Sequence, residues 1–486
     1  MESISDCISG SLTKLGYKTQ PIKLTSEIQK FGEPKKAMKE KDLYSVYNWK
    51  MDHANEVRKF YELPDALARI AIQAIREYRM ANTKNVNKPE FSKAYIIRQL
   101  KLPEEVKLLR KIYGRQFVLV SAYASESDRF NLLVKHIKRD LPTDTADTDI
   151  GHKAANLIAR DAKEDGDKLG QNLRDTFHLA DVFTHGIDRK LMEDSIERFF
   201  QAFFGRNNIT PSKDEYGMYF ARSAALRSAD LSRQVGAGIF SKDGEIITQG
   251  CNDVAKPKGG NYWDNDVPDF RDIQLGIDPN EELKREVLRN VIERLFNGDF
   301  LSEKAKKIGN SFEIAEKLTD KKDSEMGVLS DSKIMDLTEY GRVVHAEMNA
   351  ICDAARTGKL VKDATLYCTT FPCHNCTKHI IAAGIDRVVF LEPYPKSKAP
   401  ELFKNEIEIE SESDSNKVSF VPFLGISPFR YRDIFQKEKR KDGRGLAEKW
   451  YFGEPKPMID VDFPSYPTAE LFAITPLLGS VSLELP

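Results

Sequence analysis

Two short pieces of this chain each stand where an apolar pattern of helical period begins. They are His345-Ala346-Glu347 and Pro372-Cys373-His374-Asn375-Cys376, and the strand-like run Ala364 to Thr369 lies between them. Their helices, predicted over Ala346 to Thr357 and His374 to Ala383, end at Gly358 and Gly384, residues suited to the left-handed turn that closes a helix. A helix over Asp214 to Leu231 precedes them. Strands follow it at Val235 to Phe240 and Glu245 to Gln249, with Asp243-Gly244 as the hairpin signal between them. A further strand, Arg387 to Leu391, completes the order α-β-β-α-β-α-β. The segment 253–344 interrupts it, with a helix at Asn280 to Phe296 and a polar stretch from Leu318 to Lys333.

The residue types at the two helix starts point to a metal. Zinc takes nitrogen and sulfur ligands in a tetrahedron, and catalytic sites use three protein ligands with water in the fourth place. Cys373 and Cys376, three apart where a strand passes into a helix, can point to one side. The unpaired N–H groups of a helix start favour the thiolate form, and Pro372 suits a turn in which no N–H partner is available. His345 supplies the third ligand. Glu347, two residues on, is placed to carry protons and is not itself a ligand. His-x-Glu followed by Pro-Cys-x-x-Cys is the signature of zinc deaminases, in which the carboxylate is the general acid and base. A closed structural zinc would want a fourth Cys or His. His374 and His379 lie on the second helix itself and read as surface or packing residues, and Cys352 and Cys368 as core thiols on apolar faces.

At 486 residues the chain is too long for one ordinary core, so two domains are expected, 1–205 and 206–486. The turn-forming stretch Gly205 to Pro211 marks the boundary. The first domain reads as α/β: a helix from Ser3 to Leu15 closed by Gly16, a strand from Ala94 to Leu100, a helix from Pro103 to Tyr113 and a strand from Gln116 to Tyr123. Helical patterns run from Arg129 to Phe204, broken by the polar stretch Pro142 to Gly151. A formal net charge of −1 argues against a stable nucleic-acid partner, which would need a basic excess. The basic run Lys437 to Arg444 reads as solvated surface, with contact to a phosphorylated ligand as the alternative. No apolar run approaches the ~20 residues of a membrane helix. The start, Met1 to Asp6, lacks signal-peptide features, and six cysteines including one Cys-x-x-Cys suit the cytoplasm.

At these residues the sequence resembles the cytidine and deoxycytidylate deaminase superfamily. Arg233 to Ala237, Gly250-Cys251-Asn252, Ala382 to Val388 and Glu392 to Ser397 are similar to its deoxycytidylate branch. The whole chain resembles the bacterial anti-phage dCTP deaminases, in which such a domain follows a P-loop nucleotide-kinase-like domain. Ile97 to Lys101, Leu109 to Gly114, Phe117, Arg129, Arg160-Asp161, Gly170 to Asn172 and Asp175 to Asp181 carry the N-terminal likeness. The resemblance implies a P-loop-kinase-like α/β domain followed by a three-layer α/β/α deaminase domain. It also implies a zinc cofactor, a homo-oligomer and hydrolytic deamination of a free cytosine deoxynucleotide, dCTP or dCMP, depleting dCTP during phage infection. One departure stands out: no Gly-x-x-x-x-Gly-Lys-Ser/Thr occurs, so the expected first strand and phosphate loop are missing from this sequence, through either a truncated or misassigned start or a degenerate domain, and no phosphoryl transfer is expected.

By the same resemblance, Asn252 matches the position that hydrogen-bonds the sugar, with a turn-stabilising side chain as the alternative. Tyr394 and Lys396 lie in the loop that contacts base, sugar or phosphate, and Tyr394 reads equally as a packing aromatic. Lys396, Arg233 and Arg342 are candidate cations for the phosphates, with surface ion pairs as the alternative for the arginines. The stretch Gly259 to Trp263 opens the 253–344 segment, which is expected to form a lid or specificity loop, or else a packing decoration.

Overall fold

The structure is a computed structural model that describes residues 2–31, 42–140, 146–164, 169–319, 327–330, 332–337, 340–412, 414, 416–437, 439–447, 450 and 466–478. The segments 141–145 and 320–326, parts of the two polar stretches expected from sequence, lie outside the described residues. Contacts divide the chain into two compact units, 216–423 on one hand and 1–215 with 424–486 on the other. This differs from the expected 1–205 and 206–486. The division falls at Glu215, and the chain returns to the first unit at Leu424. The cause is a pairing no local pattern announces: Gly425-Ile426 adds an antiparallel strand to Val182–His185 of the N-terminal unit.

The unit 216–423 is built on a hairpin edge. Gly244, at φ +94°, turns the chain between β1 (Gly236–Phe240) and β2 (Ile246–Cys251). Helix α1 (Lys213–Ala225) precedes them, and α2 (Ala346–Arg356), β3 (Thr365–Thr370), α3 (His374–Ala382) and β4 (Arg387–Glu392) follow. Two short strands close the sheet, β5 (Ile407–Ile409) and β6 (Val418–Pro422). The order is β5-β6-β4-β3-β1-β2. The pairs from β5 to β3 are parallel and those of β1 with β3 and β2 antiparallel.

Alternation along β1 separates the layers. Ala237 and Ile239 face the core shared with Ala346, Ala350, Leu366, Cys368 and Ile380, so α2 and α3 cover that side. Gly236 faces the other way, and a Cβ there would run into the backbone of Ala221 and Ala225 on α1. Gly250 does the same for α2, lying against Ala346 and Ala350. Glycine at these two positions lets helices lie directly on the hairpin. The sheet is thus sandwiched between helices.

In the N-terminal unit the helix Glu2–Lys14 ends before Gly16, whose φ is +79°. The strand Lys18–Lys23 pairs in parallel with Lys93–Arg98. The helix Pro103–Tyr113 is held at its start by Glu105, whose carboxylate accepts from the Lys101 and Leu102 amides at 2.7 and 3.1 Å. The expected strand Gln116 to Tyr123 is confined to Val120–Tyr123, because Gly114–Gln116 closes a 3-10 turn. Within the region read as helical, Val182–His185 is a strand paired in parallel with Val120–Tyr123, its first three residues buried. No described helix is long and apolar enough to cross a membrane.

Candidate zinc centre

The sheet delivers the two helix starts to one place. His345 caps α2 in extended conformation, Cys373 caps α3 likewise, and Cys376 lies in the first turn of α3. His345 Nδ1 is 3.3 Å from Cys373 Sγ and 3.5 Å from Cys376 Sγ, and the three donor atoms lie within 4.8 Å of one another. Zinc–sulfur bonds of about 2.3 Å and zinc–nitrogen bonds of about 2.0 Å at tetrahedral angles separate such ligands by about 3.5 Å. The spacing and the soft N, S, S donor set fit zinc. Among the described residues no fourth Cys or His joins the cluster.

The electrostatics agree. A hydrogen bond from Cys376 and the His345 imidazole bring the Cys373 thiol down to about 4. Its hydrogen bond to that thiolate brings His345 up to about 9. The bond to Cys373, together with burial, holds the Cys376 thiol well above its usual value. The Cys373 thiolate and the His345 imidazole thus stabilise each other's charge, with the Cys376 sulfur and the Glu347 carboxyl beside them. Glu347, 4% exposed in the first turn of α2, is raised by burial and lies within hydrogen-bonding reach of the Cys376 thiol. The cluster contains His345, Cys373 and Cys376 and places Glu347 against it.

The expected substrate residues fall less simply. Asn252 is buried at the end of the hairpin. Its Oδ1 accepts from the Val235 amide at 2.6 Å, and its Nδ2 donates to Asp230 Oδ2 at 2.7 Å and to the Arg233 carbonyl at 2.6 Å. Both amide N–H groups are therefore spent within the 230–235 loop, which leaves Asn252 only acceptor capacity for a ligand. Arg233 donates to Thr370 Oγ1 at 3.0 Å and to Glu392 at 2.5 Å. Arg342 is paired with Asp272 at 2.9 Å and with the Phe270 carbonyl at 2.9 Å, inside the 253–344 segment. Both arginines thus make the ion pairs of the alternative reading. Tyr394 packs against the sheet core, and Lys396 is exposed. Their loop is tied to the turn that leads into Cys373, for Ser397 Oγ donates to the Pro372 carbonyl at 2.9 Å.

Asp230, Asn349 and Asn261 escaped the sequence reading although each is wired to the site's surroundings. The usable signal was Asn349, a polar residue one turn after His345 on the face of α2 that should be apolar. Cys352 needs correcting. It is exposed, because α2 buries residues 346, 347, 349, 350 and 354 and turns 352 outward. Cys368 is a core thiol as expected. Lys439, Arg440, Lys441 and Arg444 of the basic run are exposed.

Residues 211–392 match the family described as the cytidine and deoxycytidylate deaminase zinc-binding region. The deoxycytidylate deaminase of Enterobacteria phage T2 is 47% identical over 55 residues, 11% of this chain and 29% of that protein. ComE operon protein 2 of Bacillus subtilis (strain 168) is 44% identical over 64 residues, 13% of this chain and 34% of that one. The human deoxycytidylate deaminase is 46% identical over 54 residues, 11% and 29% of the two chains. The chain thus spans about a third or less of the length of these relatives. Among solved structures, the dCMP deaminase of cyanophage S-TIM5 in complex with dCMP and dUMP aligns with 17% identity and a TM-score of 0.24, over 44% of this chain and all of that one. The stretch that holds His345, Glu347, Cys373 and Cys376 lies within the residues that match this zinc-binding region, and zinc is its cofactor.

Proposed function

We propose that this chain hydrolytically deaminates a free cytosine deoxynucleotide, dCTP or dCMP, converting water and the cytosine base into the uracil base and ammonia. The observation that carries the reading is Glu347, a buried carboxyl set against a three-donor metal cluster, which a purely structural zinc would not require. His345, Cys373 and Cys376 would hold zinc, which when bound would supply the Lewis acidity that makes water a nucleophile at neutral pH. Glu347 takes one proton from the attacking water and gives it to the ring nitrogen, then takes the second from the hydroxyl now on the ring carbon and gives it to the amine, so that the C–N bond breaks, the C=O bond forms and the amine leaves as ammonia. The Asn252 loop, fixed by its own hydrogen bonds, offers an acceptor to the sugar, and Lys396 offers an exposed cation to phosphate.

The net charge of −1 favours a free nucleotide over a polynucleotide. Resemblance of the whole chain to the anti-phage dCTP deaminases supports the triphosphate and a role in depleting dCTP, with the N-terminal unit as regulator. The names of the curated relatives support the monophosphate. Incubation of the zinc-loaded chain with dCMP, dCTP, CTP and single-stranded DNA, scoring ammonia and the uracil product, decides between them. Release from a free deoxynucleotide is expected. Release from single-stranded DNA alone, or from none of the four, overturns the reading.

A further inference from the structure

We propose that Asn349 is a positioning residue whose amide locks the metal-bearing helix α2 to the opening of the 253–344 segment, making that segment part of the site. The inference rests on the reading of the site given above. Asn349 is 6% exposed, one turn beyond His345. Its Nδ2 donates to the Cys251 carbonyl at 2.9 Å and to Asn261 Oδ1 at 2.8 Å, so one nitrogen joins three elements: α2, the end of β2 and the segment. Asn261 is also 6% exposed and forms a backbone bridge with Ala255, which folds the loop back on itself. Arg227 donates to the Asn261 carbonyl at 3.3 Å, and its guanidinium stacks on Trp263, 3.5 Å from the ring centroid. The aromatic that sequence reading placed in a lid is thus clamped beside the amide link.

The contact surface explains why an amide is needed there. Helix α2 meets β2 through Ala346, Ala350 and Gly250, small residues that present little relief to stop the helix turning or sliding. Apolar packing is non-directional. A buried amide with two aimed hydrogen bonds has one satisfied orientation, and leaving its N–H groups unpaired would be costly. Thr248 Oγ1, donating to the Ala350 carbonyl at 2.9 Å, anchors the same helix at the next residue. Because His345 and Glu347 occupy the first turn of α2, its rotation sets where the imidazole and the carboxyl lie.

The test is zinc loss from the full-length chain to a chromophoric chelator, with kcat and KM for the cytosine nucleotide measured alongside. Asn349→Ala and Asn261→Ala are each expected to release zinc about 10-fold faster than wild type, the lower end of what support groups around a metal contribute. The double variant should be no faster than either single one. Both should lower kcat with little change in KM. Asn349→Asp, which keeps the size but faces two acceptors with a third, should release zinc at least as fast as the alanine variant. Wild-type release rates in Asn261→Ala, or additive effects in the double variant, overturn the link. If Asn349→Ala fails to fold, Asn261→Ala alone decides. If wild type deaminates none of the nucleotides, the functional reading fails, while zinc release still judges this proposal.

Discussion

Buried carboxylates are treated in opposite ways in the N-terminal unit and at the zinc centre. Glu105 meets Arg58 at 2.8 Å with both side chains fully buried. Asp181 takes Arg430 and Arg110, each at 3.0 Å. Glu470, also fully buried, accepts from Arg79 at 2.6 Å and from the Tyr113 hydroxyl at 2.9 Å. Each acid is balanced by a cation and hydrogen-bonded, the condition under which a charge is tolerated away from water. The 253–344 segment follows the same rule, with Asp272 paired to Arg342. Glu347 is as deeply buried, yet its neighbours are two sulfurs and an imidazole, and no arginine or lysine pairs with it among the described residues. An acid balanced by arginine holds the fold. An acid left beside metal donors is available to carry protons.

The largest effect that sharpens this contrast is expected at Glu347. Glu347→Gln keeps the shape and the buried polar group but removes the proton carrier. Deamination should fall by about 10³-fold, the range of general acid–base catalysis. Zinc content, measured by elemental analysis, should match wild type. Retained activity would show that Glu347 is another structural acid. The converse experiment is Glu105→Ala, which strands the fully buried Arg58 and frees the Lys101 and Leu102 amides. It should cost about 3–5 kcal/mol of stability, as breaking a buried pair does. The readout is an earlier denaturant transition of the N-terminal unit. Turnover per zinc-loaded molecule should hold, and an unmoved transition would break the contrast from the other side.

How legible each region was follows from the same difference. The helix starts at His345 and Cys373, the hairpin at Gly244 and the closing glycines at 358 and 384 are local patterns, and the structure reproduces them within a residue or two. What joins the N-terminal unit is not local. Arg58 and Glu105 come from different helices, and Arg430 reaches Asp181 from beyond the whole deaminase-like unit. No spacing rule pairs such residues, so the return of the chain at Leu424 went unread. Short strands such as Ile407–Ile409 are too brief to show a period. At the rim, Arg233 and Arg342 were judged by their charge, whereas their partners Glu392 and Asp272 lie far off in sequence and become visible only in the fold. Asn349 was readable in principle, since a polar side chain on the inward face of a helix calls for a buried partner.

Cys352 gives the smallest expected effect and the finest control on that comparison. It sits on the same helix as His345 and Glu347 but faces solvent, whereas Cys7, Cys251, Cys368 and Cys376 are buried and Cys373 is a half-buried donor of the three-residue cluster. Burial and the neighbouring acids raise the Cys251 thiol to about 11, which makes it inert as well as inaccessible. In the zinc-loaded protein an alkylating reagent should therefore label Cys352 first and leave the metal in place. Cys352→Ala should change stability by less than about 0.5 kcal/mol, the usual range for surface substitutions. The measurement is peptide mass mapping after limited alkylation, with zinc counted in the same sample. Zinc loss that tracks alkylation of Cys352 alone would mean that the outer face of α2 is coupled to its first turn. The position of His345 and Glu347 would then depend on more than the buried amide and the glycine contact beneath the helix.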